Sequence, residues 1–130
     1  MPISDQELLE FSESIIARGA SETELRAAIS RGYYAAFHQA KAVADHAGLP
    51  QAPATSRGSH ERVIHRFNNL FLGNKKVAAL LHKKKMLRVK ADYQLGEEIT
   101  LEESRQHVAS CRKLSKFLSM LSLVSPINKS

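Results

Sequence analysis

Residues 25–48 read LRAAISRGYYAAFHQAKAVADHAG, and the spacing of apolar residues in this stretch decides the fold. Leu25, Ile29, Gly32, Ala36, Ala40, Val43 and Ala47 recur at intervals of three and four, the period of one helix face. Most are small, which lets a neighbouring helix approach closely. Ser21 followed by Glu24 predicts a capping box at the start, and Gly48 with Pro50 beyond it predicts the stop. Gly32 costs a helix about 1 kcal/mol relative to Ala, so its presence predicts tight packing there. A second stripe is polar: Glu24, Arg31, His38 and Asp45 follow one another every seven residues. On a helix Arg31 and His38 fall within about 20° of one another and about 10 Å apart along the axis, with Tyr34 and Ala35 between them. A polar stripe flanked by Ala, Tyr and Phe faces solvent, a partner helix or a substrate.

Outward from this segment the chain stays helical. A first helix is predicted from about Asp5 to Arg18, capped by Ser4 and Glu7, with Leu8, Phe11, Ile15 and Ile16 buried and Gly19 as the stop. The short link to Ser21 makes it an antiparallel neighbour of the long helix. Residues 49–58, LPQAPATSRG, read as a loop. Ser59 is expected to cap a third helix over His60 to Leu72, with Val63, Ile64, Phe67, Leu70 and Phe71 buried and Gly73–Asn74 as the break. A fourth helix spans about Lys75 to Ala91. Val77, Leu80, Leu81, Leu87 and Ala91 form its face, Met86 and Val89 flank it, and Lys83, Lys84 and Lys85 crowd its middle. Thr100 and Glu103 open a fifth helix that runs to about Leu123, with Leu101, Ser104, Val108, Cys111, Leu114, Leu118 and Leu121 facing inward. No segment alternates with period two. The expectation is one all-α domain over residues 1–125, an up-and-down bundle of about five helices, with a frayed tail at 126–130.

A chain of 130 residues with 43% hydrophobic content buries a core without disulfides or a structural metal. Its single cysteine, Cys111, rules out an internal disulfide and a cysteine-ligated zinc cluster. The start, MPISDQELLE, is acidic and lacks an apolar signal core. No run approaches the roughly 18 apolar residues of a membrane span, so a cytoplasmic protein is expected. Charge is uneven. Residues 57–90 hold ten Lys or Arg and one acid, Glu61, whereas residues 1–24 hold six acids and one base, Arg18. Such asymmetry points to an anionic partner, most commonly nucleic acid, or to a solvated basic face set against the acidic first helix.

His60-Glu61 with His65 approaches the HExxH zinc pattern but has three residues between Glu61 and His65. The two histidines would lie roughly 140° apart on a helix and could not share a metal. No metal or cofactor is therefore called for. His46, His82 and His107 read as surface residues. Arg31 and His38 carry more chemistry. Arginine offers a permanent forked cation for phosphate oxygens, and histidine exchanges a proton near neutral pH. Together they suit metal-free RNA cleavage. Lys83, Lys84, Lys85 and Arg88 would draw phosphates toward them. The structural alternative pairs Arg31 with a carboxylate such as Asp92 and buries His38.

The runs SRGYYAAFHQAKAVADHAG (30–48), SHERVIHRF (59–67), RVKADY (88–93) and ITLEESRQHVASCRKLSKFL (99–118) resemble the HEPN domain, in particular its small stand-alone prokaryotic group with a YYAxFHxA-type signature. The resemblance covers about residues 6 to 121. It implies an all-α up-and-down bundle that forms homodimers. It also implies metal-independent endoribonuclease activity in those members that carry an arginine, four to six residues and then a histidine. Arg31 and His38, with six between them, fit that spacing. Tyr34 would shape the site, and Tyr33, Asp92 and Tyr93 would hold the bundle, Asp92 reaching Arg31 from beside Arg88. Other HEPN proteins bind nucleotides or pair with a nucleotidyltransferase antitoxin in toxin–antitoxin or phage-defence modules, so a non-catalytic interaction module is the alternative. In a dimer related by a two-fold axis, Arg31 of one copy would meet His38 of the other.

Overall fold

A computed structural model describes residues 3–18, 21–52, 58–68 and 74–121 of the chain. Five helices make up the described residues: α1 (Asp5–Ala17), α2 (Glu22–Ala47), α3 (Ser59–Arg66), α4 (Asn74–Tyr93) and α5 (Leu101–Leu121). None of them is long and apolar enough to cross a membrane. Gly19, Leu70, Phe71, Gly73, Leu123, residues 53–57 of the 49–58 loop and the 126–130 tail lie outside the described residues.

The helix starts follow their caps. Ser4 with Glu7 and Ser21 with Glu24 each form a reciprocal capping box. At α5 the Thr100 hydroxyl accepts from the Glu103 N–H at 3.1 Å, but the Glu103 carboxylate turns instead to Lys90 at 3.2 Å. Gly48 ends α2 in the left-handed region at φ 72°, a conformation that suits glycine. One cap differs from the sequence reading. Gly58, not Ser59, is the N-cap of α3, and Ser59 is already helical, so α3 begins without a side-chain cap.

Side-chain contacts fix the direction of each helix. Ile16 packs beside Leu25, the Ser12 hydroxyl donates to the Ala28 carbonyl at 2.9 Å, and Leu9 packs with Ala35, so α1 runs antiparallel to α2. Arg26 donates to the Lys90 and Ala91 carbonyls, while Arg88 lies over Tyr33, so α4 is also antiparallel to α2. His107 bonds the Ile29 carbonyl and Gln39 donates to the Ser115 carbonyl, so α5 runs parallel to α2. The four long helices therefore form an up-and-down bundle, and α3 lies in the connection between α2 and α4. The all-α, five-helix expectation holds.

The long helix α2 is the axis of this arrangement, since it packs against all four others. Its small-residue face is buried as the spacing requires, from Leu25 through Val43, and Ala47 is half-buried. Gly32 sits where α1 and α5 both close in. A Cβ there would lie 3.5 Å from Ser12 Oγ and 3.6 Å from Cys111 Sγ, which is ordinary contact. Gly32→Ala is therefore expected to raise stability by up to about 1 kcal/mol through helix propensity. A urea midpoint below wild type would show instead that Gly32 answers a closer approach than these distances allow.

Three apolar expectations shift. Phe11 is 49% exposed, because α1 presents Leu9, Ser12 and Ile15 to the bundle and Phe11 lies about 100° from Ser12. Met86 and Leu101 are exposed as well. Along α4 the inner stripe reads Val77, Leu81, Lys84, Arg88, Ala91, so two cations occupy core positions in its middle.

Candidate functional site

The central helix has one open strip. Ala27, Arg31, His38, Lys41, Ala42 and Asp45 are exposed and Tyr34 is half-buried, a progression by threes and fours along α2. Arg31 and His38 thus lie on the same uncovered side, and the chain's own helices do not close over either. Among the described residues Arg31 makes no hydrogen bond or ion pair. The expected link from Asp92 to Arg31 is not present. Asp92 accepts from Ser30 Oγ at 3.3 Å and from Arg88 at 3.5 Å, and Arg31 is turned about 100° from Ser30 around the helix. The other members of the seven-residue series are engaged locally. Glu24 pairs with Arg18 at 2.9 Å and Asp45 with the buried Arg66 at 2.6 Å.

Behind His38 lies a nest of rings. Tyr34 and Phe37 stand 6.2 and 5.5 Å from the His38 ring, and 5.7 and 4.4 Å from the ring of His60 on α3. Tyr33, fully buried, shares a hydrogen bond of 2.7 Å between its hydroxyl and His60 Nδ1. Burial pushes the Tyr33 phenol pKa well above its ordinary range, so it stays protonated. Burial, with the charges of Arg88 and Lys85, lowers the His60 pKa and favours neutral imidazole. The Arg88 guanidinium lies 5.6 Å from Tyr33, 5.6 Å from Tyr34 and 5.8 Å from Tyr93, within cation–π range of all three. The YYAxFH and RxxxADY-like elements therefore meet at a single buried cation.

The lysine run separates in space. Lys83 is exposed, Lys85 is half-buried and pairs with Glu61 at 2.7 Å, and Lys84 is buried between α4 and α5. Three successive residues point about 100° apart, so they cannot form one patch. Arg88 faces the tyrosines rather than solvent. Among the described residues no group of His, Cys, Asp and Glu is placed to hold a metal ion. His65, the far member of the HExxxH stretch, is exposed while His60 is half-buried.

His107 corrects the sequence reading, which placed it at the surface. It is 2% exposed, with Nε2 at 3.0 Å from the Ile29 carbonyl. Burial and the nearby Lys84 charge lower its pKa to about 4, below the ordinary 6.5. The folded state thus prefers the neutral ring. Its contribution is fully present above pH about 6.5 and is lost as pH falls toward 4. Stability is expected to drop by about 2 kcal/mol between pH 7.5 and 5, above the range where carboxylates titrate. Urea unfolding of wild type and His107→Gln at both pH values checks this. An equal drop in the variant would assign the effect elsewhere.

Comparison with protein-family models, with curated proteins and with solved structures finds no match for this chain. The site is therefore described by its geometry. Sequence reading missed His60 as a neighbour of Tyr33, because the two are 27 residues apart and on different helices. The segment SHERVIHRF carried the only signal.

Proposed function

We propose that this chain is a HEPN-type RNA-binding protein that cleaves RNA without metal, acting as a homodimer joined along the open strip of α2. The observation that supports this best is the strip itself: an otherwise enclosed helix leaves Arg31 and His38 uncovered on one side, with Arg31 paired to no carboxylate among the described residues. Tyr34 offers half of a ring between them on which a base can stack. A second copy brings a second Arg31 and a second His38. One imidazole takes the proton of the 2′-hydroxyl, whose oxygen attacks the adjacent phosphorus. The same imidazole, now protonated, returns the proton to the departing 5′-oxygen, which leaves a 2′,3′-cyclic phosphate. The guanidinium stabilises the charge on the phosphorane. The resemblance extends this reading to the toxin-like half of a two-gene module with a nucleotidyltransferase antitoxin.

Incubation of the purified protein with mixed RNA and EDTA tests the reading. EDTA-resistant cleavage with cyclic-phosphate ends is expected, as is a light-scattering mass twice the 14.5 kDa of one chain. A monomer that neither binds nor cuts RNA would sink it. A second reading has an observation of its own. Arg88 is held by Tyr33, Tyr34, Tyr93 and Asp92, as a framework residue would be. A non-catalytic module that binds nucleotide or a partner enzyme needs no more than that framework, and RNA binding without cleavage would favour it.

A further inference from the structure

Between α4 and α5, a pocket of about 390 Å³ is lined by Lys83, Lys84, Leu87, Glu103, Gln106, His107 and Ser110. Lys84 is unusual among these. It is 7% exposed, and among the described residues it makes no hydrogen bond and no ion pair. Its stem is buried while its ammonium keeps access to the pocket, where the charge has no protein partner among the described residues. The nearest carboxylate in the pocket lining, Glu103, is already bonded to Lys90 at 3.2 Å. Beside Lys84 stands His107, 2% exposed, whose Nδ1 also lacks a hydrogen-bond partner. Its Nε2 faces the Ile29 carbonyl, so Nε2 carries the proton and Nδ1 is left as an acceptor. Lys84 of α4 and His107 of α5 thus line one cavity.

We infer that this pocket binds a small phosphate group, whose anionic oxygen pairs with Lys84 while Gln106, Ser110 and Lys83 hydrogen-bond its other oxygens. A phosphate that keeps one proton also offers an O–H toward the His107 side of the cavity, which a fully ionised anion does not. The neutral state of His107 leaves Lys84 and the more exposed Lys83 as the cations of the pocket lining. The site lies where α4 meets α5, while Arg31 and His38 lie on the open strip of α2, so the inference does not depend on the RNA reading.

Titration of the full chain with inorganic phosphate, followed by ³¹P NMR at constant ionic strength, tests it. Saturable binding is expected in wild type and in Arg31→Ala, and binding at least about tenfold weaker in Lys84→Met, the loss that follows removal of one charge-assisted contact. Lys84→Gln serves as a second variant that keeps a polar group of similar length, and Ser110→Leu fills the cavity from the α5 side. Both should weaken binding too. Circular dichroism establishes that each variant is folded. Non-saturable behaviour in wild type, or equal affinity in folded Lys84→Met, overturns the assignment.

Discussion

His38→Ala is expected to lower RNA cleavage by about 10²–10⁴-fold, the range lost when a general acid or base is removed. Arg31→Ala should lower it by about 10²–10³-fold, as loss of one charge-stabilising donor does. Neither substitution should disturb the fold, because both side chains are exposed and Arg31 has no protein partner among the described residues. Stability changes within about 0.5 kcal/mol are expected at such positions. Single-turnover cleavage in EDTA, read beside thermal midpoints, separates chemistry from folding. Mixing the two inactive chains adds a geometric test. In an antiparallel pair each site takes Arg31 from one copy and His38 from the other, so every mixed dimer keeps one intact site. Random mixing then restores about a quarter of wild-type activity. No recovery in verified mixed dimers would place both residues of a site on one chain. Unchanged cleavage in His38→Ala would remove His38 from the mechanism altogether.

The parts of the fold that were legible rest on local rules. Ser4, Glu7, Ser21, Glu24 and Gly48 carry their cap geometry in their own side chains or backbone, so spacing alone located them. The α2 face from Leu25 to Val43 was legible because its small residues repeat with the helix period. On α4 the buried Val77, Leu81 and Ala91 were legible, but Lys84 and Arg88 between them were not, since charged residues at core positions interrupt the apolar periodicity. On α5 the same happens at His107 and Ser115, which are buried because α2 offers them the Ile29 carbonyl and Gln39. Buried polar residues are specified by partners on other helices, and sequence order does not name those partners.

The candidate site divides along the same line. The nearness of Arg31 and His38 follows from one helix's geometry and needed nothing else. The ring nest needed three helices: Tyr33 and Tyr34 from α2, His60 from α3, and Arg88 with Tyr93 from α4. Asp92 was expected at Arg31 because both are charged and both belong to signature elements. It goes to Ser30 and Arg88 instead, since Ser30, rather than Arg31, is the residue of α2 that faces α4.

Arg88→Ala is expected to destabilise the protein by about 3–5 kcal/mol, the range for a large side chain deleted from a packed site. Three cation–π contacts of roughly 0.5–2 kcal/mol each are lost, and a void opens beneath Tyr33 and Tyr34. The released Asp92 adds little to the cost. It is already exposed, and water can replace its bond to the guanidinium. By the same argument Asp92→Ala should cost less than Arg88→Ala, because the buried cation keeps its ring faces when the carboxylate goes. Arg88→Lys distinguishes charge from shape. A lysine ammonium is a compact point charge that cannot present a plane to several rings at once, so it should recover less than half of the loss. For a chain of this size the Arg88→Ala cost corresponds to a thermal midpoint lowered by roughly 10–20 °C. Full recovery in Arg88→Lys would show that charge alone is needed. A larger loss in Asp92→Ala than in Arg88→Ala would show that the ion pair, rather than the tyrosine rings, holds α4 against α2.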